Sequence, residues 1–311
     1  CNMLASPLEK GLLAEWVSSG AIVDLMVVTL LRINSIYTKD TLGKAFFNLL
    51  CRPEIREALI LKLDMLSALL ELSKIEYLGL LELCMHAMFN ITCELRPGSG
   101  FEERFASKLS SLNVPRFVVA RLVYTPTMDG SVGTRTVRSQ LGRCMANMCC
   151  HKSLVVQFTQ EPGQRLADAL KRVYKLGGES ASFCAAVSLF QLSRIPECRV
   201  LADSKVLQLV VEMLQGEASA LCVRLLCAVL GNFSVMQVFH ETLSEADVIG
   251  ALVGILGSAQ LASRIRRGAL QTVYNLLILH QPCRLVFVQE GGVAALWRLL
   301  KVTGGRRVGD D

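Results

Sequence analysis

The sequence predicts an all-α fold, an α-solenoid of stacked helical repeats running through all 311 residues. Three observations predict it. Six segments end alike: AFFNLL at Asn48, HAMFNIT at Asn90, CMANMCC at Asn147, VSLFQLS at Gln191, VLGNFSV at Asn232 and TVYNLLI at Asn275. Their key residues are spaced 42, 57, 44, 41 and 43 apart, and Asn2 fits one repeat earlier. Such a period marks a repeat architecture rather than a single core. Finally, the residues around each ending agree at four offsets. Leu49, Ile91, Met148, Leu192, Phe233 and Leu276 follow it, and Phe46, Met88, Met145, Leu189, Leu230 and Val273 precede it by two. Small residues stand three before, Ala45, Ala87, Cys144, Ser188, Val229 and Thr272, and the apolar set recurs six before. At about 100° per residue these offsets make one apolar helix face, which a period of two could not do.

Each such helix is preceded by a second amphipathic one: 63–73, 114–123, 165–174, 205–214 and 248–257, with an earlier one after Gly20. A shorter helix comes before that, as at 10–18 and 56–61. The stretch Gly268–Leu300 shows the grammar most plainly. One helix closes at Tyr274-Asn275-Leu276-Leu277, a short one spans Arg284–Gln289, Gly291-Gly292 breaks the chain, and a third runs from Val293 to Leu300. No unit could bury its apolar face alone, and stacking does so. Residues 1–311 are therefore expected to form a single array with repeat ends near 2, 48, 90, 147, 191, 232 and 275. Cys1-Asn2-Met3-Leu4 reads as the end of a helix and no third long helix follows Leu300, so the array is expected to be an excerpt of a longer one. The 57-residue interval places its excess in 94–104 and 125–133, rich in Gly, Pro and Ser and read as surface loops.

Hydrophobic residues make up 52% and charged residues 19%, which excludes a disordered chain. Charges such as Asp24, Arg32 and Glu212 interrupt the apolar runs, so no stretch of about 18 apolar residues arises and no membrane span is expected. The twelve cysteines sit mostly inside apolar helical segments, as Cys84, Cys144, Cys184 and Cys227 do. They read as small reduced core residues, hence an intracellular, cytoplasmic protein, with the nucleus or a cilium or flagellum as alternatives. The net charge of +6 favours acidic partners.

This pattern resembles the armadillo repeat of β-catenin, importin-α and many scaffold proteins. The residues that carry it are the starts Gly20-Ala21-Ile22 and Gly291-Gly292-Val293, the period near 42, and Asn-Leu or its variants closing the third helix. The resemblance implies a right-handed superhelix whose third helices line a concave groove. It also implies a ladder of Asn48, Asn90, Asn147, Asn232 and Asn275 that holds the main chain of an extended peptide, with Gln191 as a departure. The Trp that importin-α-like arrays place four residues before the Asn is missing: Lys44, His86, Arg143, Val187, Ala228 and Gln271 stand there. Trp16 and Trp297 fall in other helices. A classical nuclear-import adaptor is disfavoured.

Offsets 0, −4, −8 and −11 from the ladder residue lie opposite the apolar face. At the amino end they give Tyr37, Asp40, Lys44, Glu82 and His86; further on they give Arg143, Phe183, Val187, Arg224, Ala228, Arg264, Arg267 and Gln271. The second set has cations and an apolar spot but no carboxylate. It is expected to bind an extended acidic or phosphorylated segment, with Arg on the anions and Phe183 with Val187 seating an apolar anchor; a solvated basic face with Phe183 packed in the array is the competing reading.

No enzyme chemistry is legible. Cys149-Cys150-His151 is the only tight Cys/His cluster, and adjacent helical residues diverge, so no metal is expected. The histidines have no nucleophile at an interpretable spacing, no phosphate-binding loop occurs, and no cofactor is expected. The segment 263–267 is basic without interleaved aromatics, so nucleic acid is disfavoured. The function expected is a non-catalytic scaffold or adaptor. Two rivals share the fold, a GTPase regulator or client-binding chaperone, and a structural segment of a cytoskeletal or flagellar assembly.

Overall fold

Short helices, amphipathic helices and long ladder helices alternate along the computed structural model. It describes residues 25–304 apart from 26, 30–31, 53–55, 63–64, 76, 96–99, 125–131, 203, 217 and 246. The expectations for Asn2, the helix at 10–18, the Gly20 start and Trp16 lie outside the described residues, as do 96–99 of one expected loop and 125–131 of the other. Every regular element among the described residues is helical. The chain divides into two compact units, 1–158 and 159–311.

In the first unit the ladder helices are α1 (Ile36–Leu50), α3 (Leu78–Thr92) and α6 (Val132–Cys149). The amphipathic helices α2 (Met65–Ser73) and α5 (Val114–Tyr124) precede the latter two, with α4 (Glu102–Ser111) and α7 (Lys152–Phe158) as short helices. Helix α3 packs between α1 and α6. The offsets read from the sequence are the buried ones: Phe46, Leu49, Met88, Ile91, Met145 and Met148 are all at or near zero exposure. Burial of each such side chain contributes roughly 1.5–3 kcal/mol. Residues 58–62 form a wide π turn where the pattern predicts an ordinary helix.

Helix α4 is a correction to the loop reading of 94–104. Cys93–Leu95 is one turn of 3-10 helix, and Glu102 already opens α4. Two acidic residues in that first turn suit the helix dipole, and Phe105, Ala106 and Leu109 bury the inner face. Gly133 likewise belongs to α6 rather than a loop.

The second unit repeats the grammar. Its ladder helices are α9 (Glu179–Leu192), α11 (Ala220–Ser234) and α14 (Ser263–Leu279), its amphipathic helices α8 (Gly163–Tyr174), α10 (Ser204–Gln215), α13 (Val248–Gly257) and α16 (Gly292–Gly304). The short helices are a 3-10 stretch at Pro196–Ala202, α12 (His240–Glu245) and α15 (Pro282–Gln289). Helix α9 packs on α11 and α11 on α14, while α8, α10, α13 and α16 stack in succession. Tight entry into the amphipathic helices uses left-handed backbone at Asn113, Asp247 and Gly291, with φ of 52°, 49° and 74°. The next residue, Gly292, has the Phe287 ring where a Cβ would stand.

The ladder helices stop in a recurring way that the sequence pattern does not announce. Their last carbonyls lack helical donors. A side chain of the following short helix or its entry supplies one: Arg56 Nε donates to the Leu50 carbonyl at 2.7 Å, Arg284 Nε to the Leu277 carbonyl at 2.7 Å, and His240 Nε2 lies 2.9 Å from the Ser234 carbonyl. Arg56 is buried and also pairs with Glu94.

Leu78–Leu95 is long and apolar enough to cross a membrane, with a mean hydropathy of 1.2. Its place between α1 and α6, with half of the segment buried, explains that composition as a core helix.

Candidate functional site

A groove of about 510 Å³ in the second unit runs between α11 and α14. It exists because its floor is built from small residues, Ala228, Gly231 and Gly268, where bulkier side chains would close it. Five residues expected from the sequence line it: Arg224, Asn232, Arg264, Gln271 and Asn275. No carboxylate does. Arg224 and Arg264 are both exposed, so their guanidinium groups are hydrated and available to a ligand.

The ladder amides are partly committed to the array itself. Asn232 Nδ2 donates to Ser193 Oγ at 2.9 Å and Asn275 Nδ2 to Ser234 Oγ at 3.1 Å. In the first unit Asn147 Nδ2 donates to Thr92 Oγ1 at 3.2 Å, and Asn90 Nδ2 lies 3.4 Å from Cys51 Sγ. Each hydroxyl stands two residues after the preceding ladder position, and each donates in turn to a carbonyl three residues back. Asn48 is exposed. Gln191, the departure from the ladder, accepts from Arg194 Nη1 at 3.2 Å.

Not every expected residue joins the groove. Phe183 and Val187 do not line it, and Arg267 faces a separate hollow with Leu270 and Leu296. Offset alone does not sort them: Phe183 and Arg267 stand at −8 with Arg224, which lines the groove, and Val187 stands at −4 with Gln271, which also does. The aromatic that does line the groove is Phe190, directly before Gln191, with the Arg194 guanidinium 5.4 Å over its ring. In the first unit the same offset carries Phe47, in edge contact with His86 at 6.0 Å, and Phe89, 5.6 Å beneath Arg143. These aromatics before the ladder residue were missed, although AFFN, AMFN and LFQ spell them out. Lys44 is paired with Asp40 at 2.7 Å, and this bond holds its amine above the usual lysine range.

Elsewhere, Cys149 is buried and Cys150 exposed, so the two thiols diverge, and the His151 ring meets Ser153 at 3.0 Å. No group of three metal-ligating side chains converges among the described residues. The cysteines among those residues are free thiols, and burial pushes Cys84 and Cys227 up to about 12.

Three-helix repeats with a buried apolar register and an Asn ladder define an armadillo-like all-α repeat fold. The solved structures agree. A computationally designed armadillo repeat protein for modular peptide recognition superposes with a TM-score of 0.62 at 14% identity, covering 81% of this chain and 99% of that one. A designed armadillo repeat protein in complex with the peptide (KR)4 gives 0.60 at 16% identity, over 82% and 99%. A further designed armadillo protein gives 0.57 at 17% identity, over 82% and 99%. No protein-family model matches the sequence, and no curated protein does.

Proposed function

We propose that this chain is a non-catalytic protein–protein interaction scaffold, working in the cytoplasm, whose α11–α14 groove takes an extended acidic or phosphorylated segment of a partner protein. One observation carries the reading: two exposed arginines, Arg224 and Arg264, line one groove with Asn232, Asn275 and Phe190, and no carboxylate lines it. Asn232 and Asn275 keep amide capacity for a peptide main chain beyond their bonds to the serines, since an Asn side chain offers two donors and an acceptor. The guanidinium groups suit carboxylate or phosphate by charge-assisted, bidentate hydrogen bonds. Phe190 supplies an apolar seat in the place assigned to Phe183 and Val187. Arg143, on its aromatic support in the first unit, offers a second cation of the same kind.

Two of the designed neighbours are described with peptides, one for modular peptide recognition and one in complex with the basic peptide (KR)4. A cationic groove inverts that preference. The test is fluorescence anisotropy with labelled extended peptides that are acidic, phosphorylated or (KR)4-like. Acidic peptides should bind, and Arg224→Glu with Arg264→Glu should weaken them about 10–100-fold. Equal affinity for acidic and basic peptides, or no loss on reversal, overturns the reading.

A further inference from the structure

A pairing that recurs along the ladder helices of the first unit is broken in the second. On α1 and α3 the aromatic directly before the ladder residue is met by the side chain four before the next ladder residue. Phe47 meets the His86 ring edge-on at 6.0 Å between centroids, and Phe89 lies 5.6 Å beneath the Arg143 guanidinium. On α9 the aromatic recurs as Phe190, but four before the next ladder residue stands Ala228, whose side chain stops at a methyl group. Gly231, nearly one turn along α11, adds no side chain either, and Gly268 lines the same space from α14. The half-buried Phe190 ring therefore lines a hollow of about 510 Å³ without the cover that Phe47 and Phe89 have. Arg194 lies 5.4 Å over the ring but does not line the hollow.

The lining residues select what fits there. Phe190, Leu225, Ala228 and Ile265 make the hollow apolar, while Arg224 and Arg264 make it cationic, and no carboxylate lines it. A cation of the kind that covers Phe89 would be repelled by the two arginines. A carboxylate seated on the apolar lining would lose its water without a partner there. An aromatic ring meets both conditions, because it stacks offset on Phe190 and presents a negative π face to a guanidinium. Pockets that enclose ligands run to roughly 300–1,000 Å³, so the hollow holds a ring with main chain beside it.

We propose that the partner segment carries an aromatic residue among its anions, and that this ring enters the hollow over Ala228 and Gly231 and stacks on Phe190. It takes the place that the His86 and Arg143 side chains hold in the first unit. The inference rests on the acidic-segment reading of the groove and names the residue class that sets its specificity.

Fluorescence anisotropy compares labelled extended acidic peptides that differ at one central position, phenylalanine, leucine or alanine. The phenylalanine peptide should bind at least tenfold tighter than the alanine peptide, from the apolar area that a buried ring removes from water. It should bind about two- to tenfold tighter than the leucine peptide, from the ring–ring contact. Ala228→Gln, which repeats at this position the residue found at Gln271, should cover Phe190 and erase the difference between the phenylalanine and alanine peptides. Phe190→Leu should erase that between phenylalanine and leucine; circular dichroism confirms that each variant folds. Equal affinity for phenylalanine and alanine, or for phenylalanine and leucine, overturns the aromatic anchor. So does a phenylalanine preference that Ala228→Gln leaves intact. If Arg224→Glu with Arg264→Glu still weakens the peptides in those cases, the acidic-segment reading stands without the anchor. A phenylalanine preference kept at full affinity by a peptide with serines for its acidic residues overturns that reading and leaves the anchor standing. Absent binding of every peptide overturns both.

Discussion

Removing the amide of Asn232 tests whether the ladder holds the array together as well as lining its groove. Asn232 Nδ2 donates to Ser193 Oγ at 2.9 Å, and Ser193 is buried while its own proton goes to the Phe190 carbonyl at 2.8 Å. In Asn232→Ala the serine keeps its donor bond and loses only an accepted one, so the cost sits at the neutral hydrogen-bond scale of about 1 kcal/mol. Ser193→Ala removes the acceptor and also the bond to Phe190. The informative quantity is the coupling from the double-mutant cycle, expected at about 0.5–1.5 kcal/mol in urea unfolding with an unchanged m-value. Additive single effects would refute the staple and leave Asn232 as a groove residue alone. The Asn275–Ser234 pair, at 3.1 Å, provides an independent cycle with the same expectation.

Other outcomes follow from the same geometry. Arg56→Ala strips donors from the carbonyls of Leu50 and Asn90 and leaves Glu94 without its cation, so it should destabilise by about 2–4 kcal/mol in urea unfolding; the exposed Arg284→Ala, at an equivalent cap, should cost about 1 kcal/mol or less. Gly292→Ala drives a methyl into the Phe287 ring and should lower the melting temperature, whereas Gly254→Ala, with nothing within 4 Å of its Cβ, should not. Maleimide should label Cys51 and Cys150 quickly and reach Cys84 and Cys227 only on unfolding. Burial holds those two thiols protonated up to about 12 against the 9.0 of an ordinary thiol. The folded state therefore binds more protons between those values. Stability should fall as pH rises through that window, by up to about 4 kcal/mol per thiol, and Cys227→Ala should flatten the slope in urea unfolding across alkaline pH.

The parts of the fold legible in the sequence are those governed by a strict period. Burial at −2, −3 and +1 follows from apolar identity recurring every 42 or so residues, and the structure buries Met88, Ala87 and Ile91 accordingly. Helix α4 escaped because its polar first turn and the neighbouring Pro and Gly look like loop, while only Phe105, Ala106 and Leu109 reveal an inner face. The caps by Arg56, His240 and Arg284 escaped for another reason: two residue types serve one role, at six residues from the capped carbonyl for Arg56 and His240 and at seven for Arg284, so no single residue column announces them. For the groove, the offsets −4 and −11 placed Gln271 and Arg264 correctly beside Asn275. At the offset −8 the packing of the next helix decides: Arg224 lines the groove, and Arg267 faces the α14–α16 hollow.

The staple and the groove compete for the same amide, and the hydroxyls of Thr92, Ser193 and Ser234, two residues after three of the ladder positions, set how the competition resolves. A hydroxyl at that position takes one N–H and fixes the rotamer of the next Asn, which leaves the other N–H and the Oδ1 pointing along a defined direction. The cost of ordering the side chain is then met on folding rather than on binding, and a ligand's main chain meets a preorganised partner. Asn232 has this arrangement with its Oδ1 available to the groove, whereas the Asn275 Oδ1 already accepts from Gln271 Nε2 at 3.1 Å. A peptide amide arriving at Asn275 must share that oxygen with the glutamine or displace it, which weakens the bond it can form there. The Asn232 rung should therefore dominate main-chain recognition. Gln271→Ala should tighten an acidic peptide held at the Asn275 rung, by about two- to tenfold for a single exposed hydrogen bond released. Weaker binding in that variant would show instead that Gln271 itself contacts the peptide.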